Sequence, residues 1–401
     1  MSETDEQARS GCARHAVRGA QALRAGLVWA VCVTVVLTGL VSCDSKPHRI
    51  GVLLPQTGRF APWGTEALEG LTMALNEVNA SRPVGDQIEL IVADNESLVL
   101  GTSVGFQSLV EQGATVIIGP LTTDLAMVAA SSAASHQVPM VSPSATGEEF
   151  TRGNPFAFRY CFTDPEVARA LAYFARHDLG LSRLAIAVDL GSRYSLGLGR
   201  EFAQAFVTRH GRIVGEVAYY DDSDDLAGVL DRVAELEPEG VLLAGYHDSV
   251  VAMLEGATDA RVKDLVLLGS DGWEGPRIAT VVPGQVSQAF YTSHFSPGER
   301  QVPSDRQTLV EGFVSRYKED HDGLWPTDFV ALGYDVGRAV FSIFDPGLDG
   351  NEMRLAFRNL RRDGVTGTVQ LDIQGDPVNK SIVFEELHTP GGPNFWSRSG
   401  N

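Results

Sequence analysis

From about residue 49 onwards, short runs of apolar residues alternate with longer stretches in which apolar positions recur every three or four residues. The run at 49–54 is closed by Pro55, and such a run is typical of a strand buried on both faces. Apolar residues at 67, 68, 71, 74, 75 and 78 form one face of a helix over 64–79. The pattern predicts further strands at 88–93, 115–118, 138–141, 183–188, 213–218, 240–244 and 265–268, and near 365–371 and 381–386. It predicts further helices at 99–111, 125–135, 164–179, 195–209, 225–236 and 249–258, and near 306–319, 328–344 and 351–362.

This alternation predicts the fold class. Strands that are separated by helices form parallel sheets through right-handed crossovers, so an α/β protein is expected. The rhythm restarts after Asp164-Pro165, a pair typical of a helix start because Asp caps free amides and Pro fits the first turn. No long low-complexity linker separates the halves, so two α/β lobes joined by short hinge segments are predicted.

The first 42 residues have the pattern of a lipoprotein signal peptide. Arg14, Arg18 and Arg24 form a basic region, and an uncharged apolar run follows at 25–41. The run ends before Ser42-Cys43, which resembles a bacterial lipoprotein cleavage site with Cys43 as the lipidated residue. A transmembrane helix that stays in place is the alternative, and the length of the run is borderline for it.

Composition excludes several functions. The 401 residues include 51 acidic and 32 basic ones, a net charge of −19 that argues against nucleic-acid binding. The nine histidines have no metal-type spacing, and there is no nucleophile elbow or phosphate-binding glycine loop. The acidic run that starts at Asp221 fails as a calcium loop because Leu226 and Arg232 occupy required positions. No enzyme activity, cofactor or metal is therefore expected.

A candidate binding site consists of residues at the ends of predicted strands or the starts of predicted helices. Open α/β sheets bind small ligands at that edge. The set offers hydroxyls and helix-start amides for a carboxylate, one acid for an ammonium group and aromatic rings for the part between. These features predict a site for a free amino acid, formed by Trp63, Thr123, Ser144, Thr146, Tyr194, Tyr246 and Asp271.

Each part of the set also has an ordinary structural interpretation. Thr122 and Thr123 follow a Gly-Pro turn and precede a helix, where a threonine is expected to cap the helix with or without a ligand. The Ser/Thr-rich stretch at 142–146 is also typical of a simple turn, and so is an acid such as Asp271 between Ser and Gly. The aromatic residues are equally compatible with packing at a hinge or in a core.

Taken in order over more than 300 residues, these motifs resemble the Leu/Ile/Val-binding family of periplasmic solute receptors. The resemblance covers residues 50 to about 384. It is carried by Ile50-Gly-Val-Leu-Leu-Pro-Gln-Thr-Gly58 with Trp63-Gly64, Val116-Ile-Ile-Gly119 with Thr122-Thr123, Val141-Ser-Pro-Ser-Ala-Thr146, Asp189-Leu-Gly-Ser-Arg-Tyr194, Ala244-Gly-Tyr-His247, Asp271, and 329–340 with Gly333-Tyr-Asp335.

The resemblance implies a two-lobed type I periplasmic-binding-protein fold. Lobe 1 is then 47–162 plus 295–374 and lobe 2 is 163–294 plus 375–387, with crossings near Phe162, His294 and Gly375 and a loosely ordered tail at 388–401. The implied contacts are the amides near Thr123 for a carboxylate, and the Ser144 carbonyl, Thr146 and Asp271 for the amino end. The family usually has Glu where Asp271 stands.

The implied partner is the permease of an ABC importer in the inner membrane, to which the anchored protein delivers an amino acid or close analogue. A ligand-sensing or regulatory lipoprotein of the cell envelope with the same fold is the alternative, because a fold alone does not decide a role.

Overall fold

The computed structural model describes residues 48–223, 225–275, 277–296, 304–387 and 394–396. The first part of the chain forms a parallel sheet of five strands in the order β2-β1-β3-β4-β5. Its elements are β1 (His48–Leu54), α1 (Ala61–Asn79), β2 (Ile88–Asp94), α2 (Val99–Glu111), β3 (Ile117–Ile118), α3 (Thr123–His136), β4 (Met140–Ser142) and β5 (Ala157–Arg159). The central strands read as continuous apolar runs because helices cover both faces of the sheet.

The remainder of the chain contributes the second sheet and further elements, not all of which pack on that sheet. Its elements are α4 (Asp164–Tyr173), β6 (Arg183–Asp189), α5 (Arg193–Thr208), β7 (Arg212–Tyr219), α6 (Val229–Glu235), β8 (Gly240–Ala244), α7 (His247–Gly256), β9 (Val266–Gly269), α8 (Ile278–Gln285), β10 (Gln288–Ser293), α9 (Ser304–Asp320), α10 (Asp328–Ile343), α11 (Gly350–Arg358), β11 (Arg361–Gly364), β12 (Gly367–Gln370), β13 (Val383–Glu386) and β14 (Asn394–Trp396).

Seven strands form the second sheet in the order β14-β13-β10-β9-β8-β6-β7. Strands β6 to β10 pair in parallel, whereas β13 and β14 add antiparallel pairs at one edge. Strands β11 and β12 pair with each other outside both sheets. The two sheets with their helices are the two lobes of an α/β fold.

The chain passes between the lobes more than once. It leaves the first sheet after β5, and after β10 it continues to α10, which packs on α1 of the first lobe. Glycines allow this close helix contact: a Cβ at Gly70 would lie 2.0 Å from the Val330 carbonyl oxygen, and one at Gly333 would lie 2.1 Å from that of Ala67. The chain reaches the second sheet again at β13. The lobe boundaries themselves stay a prediction.

The structure differs from the sequence-based prediction in four stretches. Helix α8 and strand β10 were not predicted, because α8 contains Pro283-Gly284 and β10 carries polar residues at both ends. The helix predicted over 351–362 ends at Arg358, and β11 follows. In the tail for which loose order is expected, Asn394–Trp396 pairs with β13 as strand β14, which was not predicted; the loose order of the tail stays a prediction.

Two further predictions concern the start of the chain. The signal peptide 1–42 and the lipidated Cys43 lie outside the described residues, so both stay predictions. Within the described part, none of the helices combines the length and apolar character that a membrane crossing requires.

Candidate functional site

All seven residues expected at the site line a single cavity. The residues that follow β1, β3 and β4 form one wall, and those that follow β6, β8 and β9 form the other. The structure therefore brings the carboxyl ends of strands from both sheets together, the edge at which such sheets bind ligands. The lining residues are Trp63, Leu121, Thr122, Thr123, Ser144, Thr146 and Phe329 on the first wall and Tyr194, Tyr246, Asp271 and Gly272 on the second.

The start of α3 presents uncapped backbone amides at the first wall. Thr122 precedes the helix with extended backbone, but its hydroxyl makes no capping hydrogen bond, so the expected threonine cap is wrong. The hydroxyl oxygen of Thr123 instead accepts from the backbone N–H of Gly147 at 3.1 Å. The N–H groups of a first helical turn have no partner within the helix and carry partial positive charge. This end of the cavity is suited to an anion.

Hydrogen bonds hold the loop that follows β4 in place. The Ser144 hydroxyl donates to the Leu121 carbonyl at 2.8 Å. The guanidinium of Arg159, which is fully buried, donates to the carbonyls of Ala145 at 2.9 Å and Gly147 at 2.6 Å. Because the carbonyls of both neighbouring residues are held by one charged group, Thr146 keeps a defined position on the wall.

Behind Thr146 lies a second buried acid, Asp164. Its backbone N–H donates to the Thr146 carbonyl at 3.0 Å, and its carboxyl group interacts with the Thr146 side chain. Burial raises the pKa of Asp164 to about 7, although the hydrogen bond from Thr146 acts in the opposite direction. The prediction that Asp164 caps the helix is wrong: Thr163 is the cap, in a capping box with Glu166.

On the second wall, Asp271 is the one charged side chain among the described residues that line the cavity. Its Oδ1 accepts from the Ser270 hydroxyl at 2.8 Å and from the Tyr194 hydroxyl at 3.3 Å. Burial and the neighbouring carboxylate of Asp271 raise the pKa of Tyr194 far above its usual value, which keeps the phenol a neutral donor. The carboxylate is thus held in one orientation while it remains at the cavity surface.

Aromatic rings form the space between these two polar ends. Trp63 stacks on Phe329 with centroids 4.6 Å apart and meets Tyr246 edge-on at 5.8 Å. Tyr246 stacks on Tyr194 at 5.2 Å. These rings belong to both walls, so they enclose an apolar region whose two ends differ in charge.

Direct hydrogen bonds join the two walls. The Trp63 indole N–H donates to the Glu274 carbonyl at 3.0 Å. Arg59 pairs with Asp248, with Nε 2.6 Å from Oδ2, and it also pairs with Asp221. These bonds connect residues that follow β1 with residues that follow β7, β8 and β9. The structure therefore represents a closed arrangement of the lobes.

Four lining residues were absent from the predicted set. Phe329 and Leu121 carry no polar group, and only their place beside Trp63 and the loop after β3 brings them to the cavity. Thr122 was considered as part of a helix cap. At Gly272 an added Cβ would lie 2.9 Å from the Tyr194 hydroxyl. In the sequence, only the neighbouring Asp271 pointed to this glycine.

Other chemistry has little support within the described residues. They contain no group of three or more His, Cys, Asp or Glu side chains that could hold a metal ion. Cys161 is buried, and burial raises the pKa of its thiol, which disfavours the reactive thiolate.

Comparison with known proteins agrees with this architecture. A model of the family described as periplasmic binding protein matches residues 47–385. The Leu/Ile/Val-binding protein homolog 3 of Brucella melitensis is 27% identical over 237 residues, which are 58% of this chain and 63% of that protein. The alignment thus spans slightly less than two thirds of this relative's length.

Solved structures show the same fold. The leucine-binding protein LivK from Thermotoga maritima has a TM-score of 0.77 and 26% identity, and the match covers 87% of this chain and 97% of LivK. The branched-chain amino acid transporter substrate-binding protein LivJ from Streptococcus pneumoniae, solved in complex with isoleucine, has a TM-score of 0.75 and 22% identity, over 88% and 100%. The resemblance seen in the sequence is confirmed: the chain has the two-lobed type I fold and belongs to the periplasmic binding protein family.

Proposed function

We propose that this protein is a lipid-anchored extracytoplasmic receptor that binds a free aliphatic amino acid between its lobes and delivers it to an ABC importer. The observation that carries the proposal is the placement, in one cavity, of the uncapped start of α3 on one wall and the carboxylate of Asp271 on the other. A zwitterion has complementary charges at its two ends, so this pairing favours an amino acid over a simple carboxylate or amine.

At the first wall, the amides at the start of α3 receive the ligand carboxylate. Backbone N–H groups there bind anions without a cationic side chain. This is consistent with the absence of Lys and Arg among the described residues that line the cavity. The fixed loop around Ser144 and Thr146 completes this part of the site. The Thr146 hydroxyl, which interacts with Asp164, can accept from the ligand ammonium.

At the second wall, Asp271 receives the ligand ammonium. The aspartate is one methylene shorter than the glutamate usual in the family, about 1.5 Å of chain. The direct bonds between the walls, such as Trp63 to Glu274, bring the second wall close enough to compensate. In the closed cleft both charges are removed from water, and a charge-assisted hydrogen bond then contributes most.

Between the two ends, Trp63, Tyr246 and Phe329 surround the ligand side chain. The aromatic lining suits an aliphatic side chain such as that of leucine or isoleucine. Relatives of this fold include a leucine-binding protein and a protein solved with isoleucine. We therefore assign the ligand to the aliphatic amino acids.

Calorimetry with L-leucine, L-isoleucine and L-valine tests this assignment. Asp271→Ala is expected to weaken binding by ~2–5 kcal/mol, because the desolvated ammonium loses its partner. Asp320→Ala, an exposed acid at the end of α9, is the matched control and should bind like the wild-type protein. A hundredfold excess of ligand over its Kd should stabilise the fold by ~2.7 kcal/mol. Equal affinity of Asp271→Ala and wild type, or no binding of any of the three amino acids, would contradict the proposal.

A further inference from the structure

A buried histidine lies directly behind the acid at the second wall. His294 follows β10 and is 1% exposed, and its ring stacks on Phe162 with centroids 3.8 Å apart and planes inclined by 25°. Neither ring nitrogen has a hydrogen-bond partner in the structure. Burying two polar nitrogens without partners is costly unless the ring interacts with a charge nearby.

The nearest charge is the carboxylate of Asp271. The distance from His294 Nε2 to Asp271 Oδ2 is 3.5 Å. The other oxygen, Oδ1, is already occupied by the Ser270 and Tyr194 hydroxyls. His294 therefore faces the one carboxylate oxygen that has no other neighbour of this kind, from the side away from the cavity.

A second carboxylate lies near the same ring. Asp328, the first residue of α10, is 3% exposed, and neither of its oxygens has a hydrogen-bond partner. Burial raises the pKa of Asp328 to about 6, while the electrostatic interaction with His294 acts in the opposite direction. His294 thus lies between an acid that follows β9 in the second lobe and an acid at the start of a helix that packs on the first.

The other ionisable groups around this ring do not replace these partners. Lys380 acts on Asp328, but its amine is bound by the Thr366 hydroxyl at 2.7 Å. Burial raises the pKa of Glu385 to about 7, and that of Glu274 also rises well above its usual value, which favours their neutral forms. Asp271 and Asp328 are therefore the acids with which His294 interacts.

We propose that His294 is a positioning residue of the binding site, which orients Asp271 for the ligand ammonium and links that acid to Asp328. The inference rests on the proposed function, because it assigns a role to His294 only through the contact between Asp271 and an ammonium group. A donor at Nε2 directs Oδ2, so that the carboxylate of Asp271 is already oriented when the ligand arrives. The ring does not line the cavity and acts only through Asp271.

A double-mutant cycle with L-leucine as the probe tests this role. In the wild-type background, His294→Leu should weaken L-leucine binding at least tenfold. In the Asp271→Asn background the same change should alter Kd less than threefold, because the group through which His294 acts is gone. His294→Gln, which keeps an N–H donor at a similar distance, should recover most of the affinity. His177→Leu, at an exposed histidine beyond α4, is the matched control and should leave Kd unchanged.

The possible results are distinct. A purely structural role for His294 would weaken binding equally in both backgrounds and would not be rescued by Gln, and this result overturns the inference. Unchanged affinity of His294→Leu in the wild-type background overturns it as well, while the proposed function stands. Failure of the wild-type protein to bind L-leucine or any other aliphatic amino acid overturns the proposed function, and the role of His294 falls with it. The thermal transition shows whether His294→Leu folds. If it does not, His294→Gln is compared with Asp328→Asn. Weaker binding by Asp328→Asn together with near-normal binding by His294→Gln supports the linkage, and equal binding by both variants overturns the inference.

Discussion

Arg59 makes several contacts between the two lobes, and its removal gives a direct test of closure. It pairs with Asp248, which lies 189 residues further along the chain, with Nε 2.6 Å from Oδ2 and Nη2 2.5 Å from Oδ1. Nη2 also donates to the Ser249 hydroxyl at 3.0 Å, and Nη1 pairs with Asp221. In an open form these groups would face water, so they stabilise the closed form only.

The size of the effect follows from exposure. Hydrogen bonds between charged groups contribute ~1.5–3 kcal/mol when they are buried, whereas exposed pairs contribute ~0–1 kcal/mol. The side chains of Arg59 and Asp248 are 29% and 43% exposed, which places the pair between these cases. We expect Arg59→Ala to destabilise the closed form by about 1–2 kcal/mol. Because ligand binding requires closure, the affinity should fall about 5- to 30-fold.

Calorimetry gives the Kd, and stopped-flow fluorescence of Trp63 gives the dissociation rate, which should rise by a similar factor. Raising the salt concentration should weaken ligand binding by the wild-type protein more than by Arg59→Ala, because salt screens partly exposed pairs. Arg49→Ala is the matched control, since Arg49 pairs with Glu89 at 3.0 Å within the first lobe. If Arg59→Ala binds and releases the ligand at wild-type rates, the pair does not hold the lobes together and the reasoning is wrong.

Three further predictions follow from single groups. Trp63→Phe keeps a ring but loses the bond to the Glu274 carbonyl at 3.0 Å, so calorimetry should show ~0.5–1.5 kcal/mol weaker binding, with the exposed Trp325→Phe as control. Asp164 has a folded-state pKa of about 7 against 3.8 for the ordinary carboxyl, so its stabilising contribution is complete below pH 3.8 and is lost as the pH rises through 7. Urea unfolding should therefore show that Asp164→Asn gains about 2–3 kcal/mol relative to wild type between pH 5 and pH 8, and an unchanged difference would show that Asp164 does not titrate there. Cys43→Ser should move the protein from the membrane fraction to the soluble fraction and abolish labelling with palmitate, and a variant that stays labelled would exclude Cys43 as the lipidated residue.

Regular elements were predictable wherever one local pattern dominated. Helix α2 and strand β8 have the predicted bounds, because their apolar positions follow a helical or buried-strand pattern without interruption. Strand β10 was missed because its buried residues include Thr292 and Ser293, whose polar groups are satisfied only by the surrounding structure. Strand β11 was taken for the end of a helix, since its two arginines are good helix formers and only pairing with β12 decides otherwise.

In the candidate site, too, some residues could be predicted from local sequence patterns and others could not. The polar and aromatic residues at strand ends could be selected from the sequence, because parallel strands place their carboxyl ends at one edge. Phe329 could not, since nothing in its own segment distinguishes a ring at the cavity from a ring in the core. The capping roles of Thr122 and Asp164 were wrong because their surroundings, and not the local motif, determine where each hydroxyl and carboxylate finds a partner.

The sequence alone determined the α/β fold class, the family resemblance, the acidic surface and a set of strand-end residues with the chemistry of an amino-acid site. Tertiary structure decided that these seven side chains share one cavity, that Arg59 reaches Asp248, and that His294 lies between Asp271 and Asp328. The physical reason is the distance along the chain over which the deciding contacts act. Strand and helix patterns arise from contacts within a few residues, whereas the position of a charge or a ring in a cleft depends on how two separately folded sheets meet.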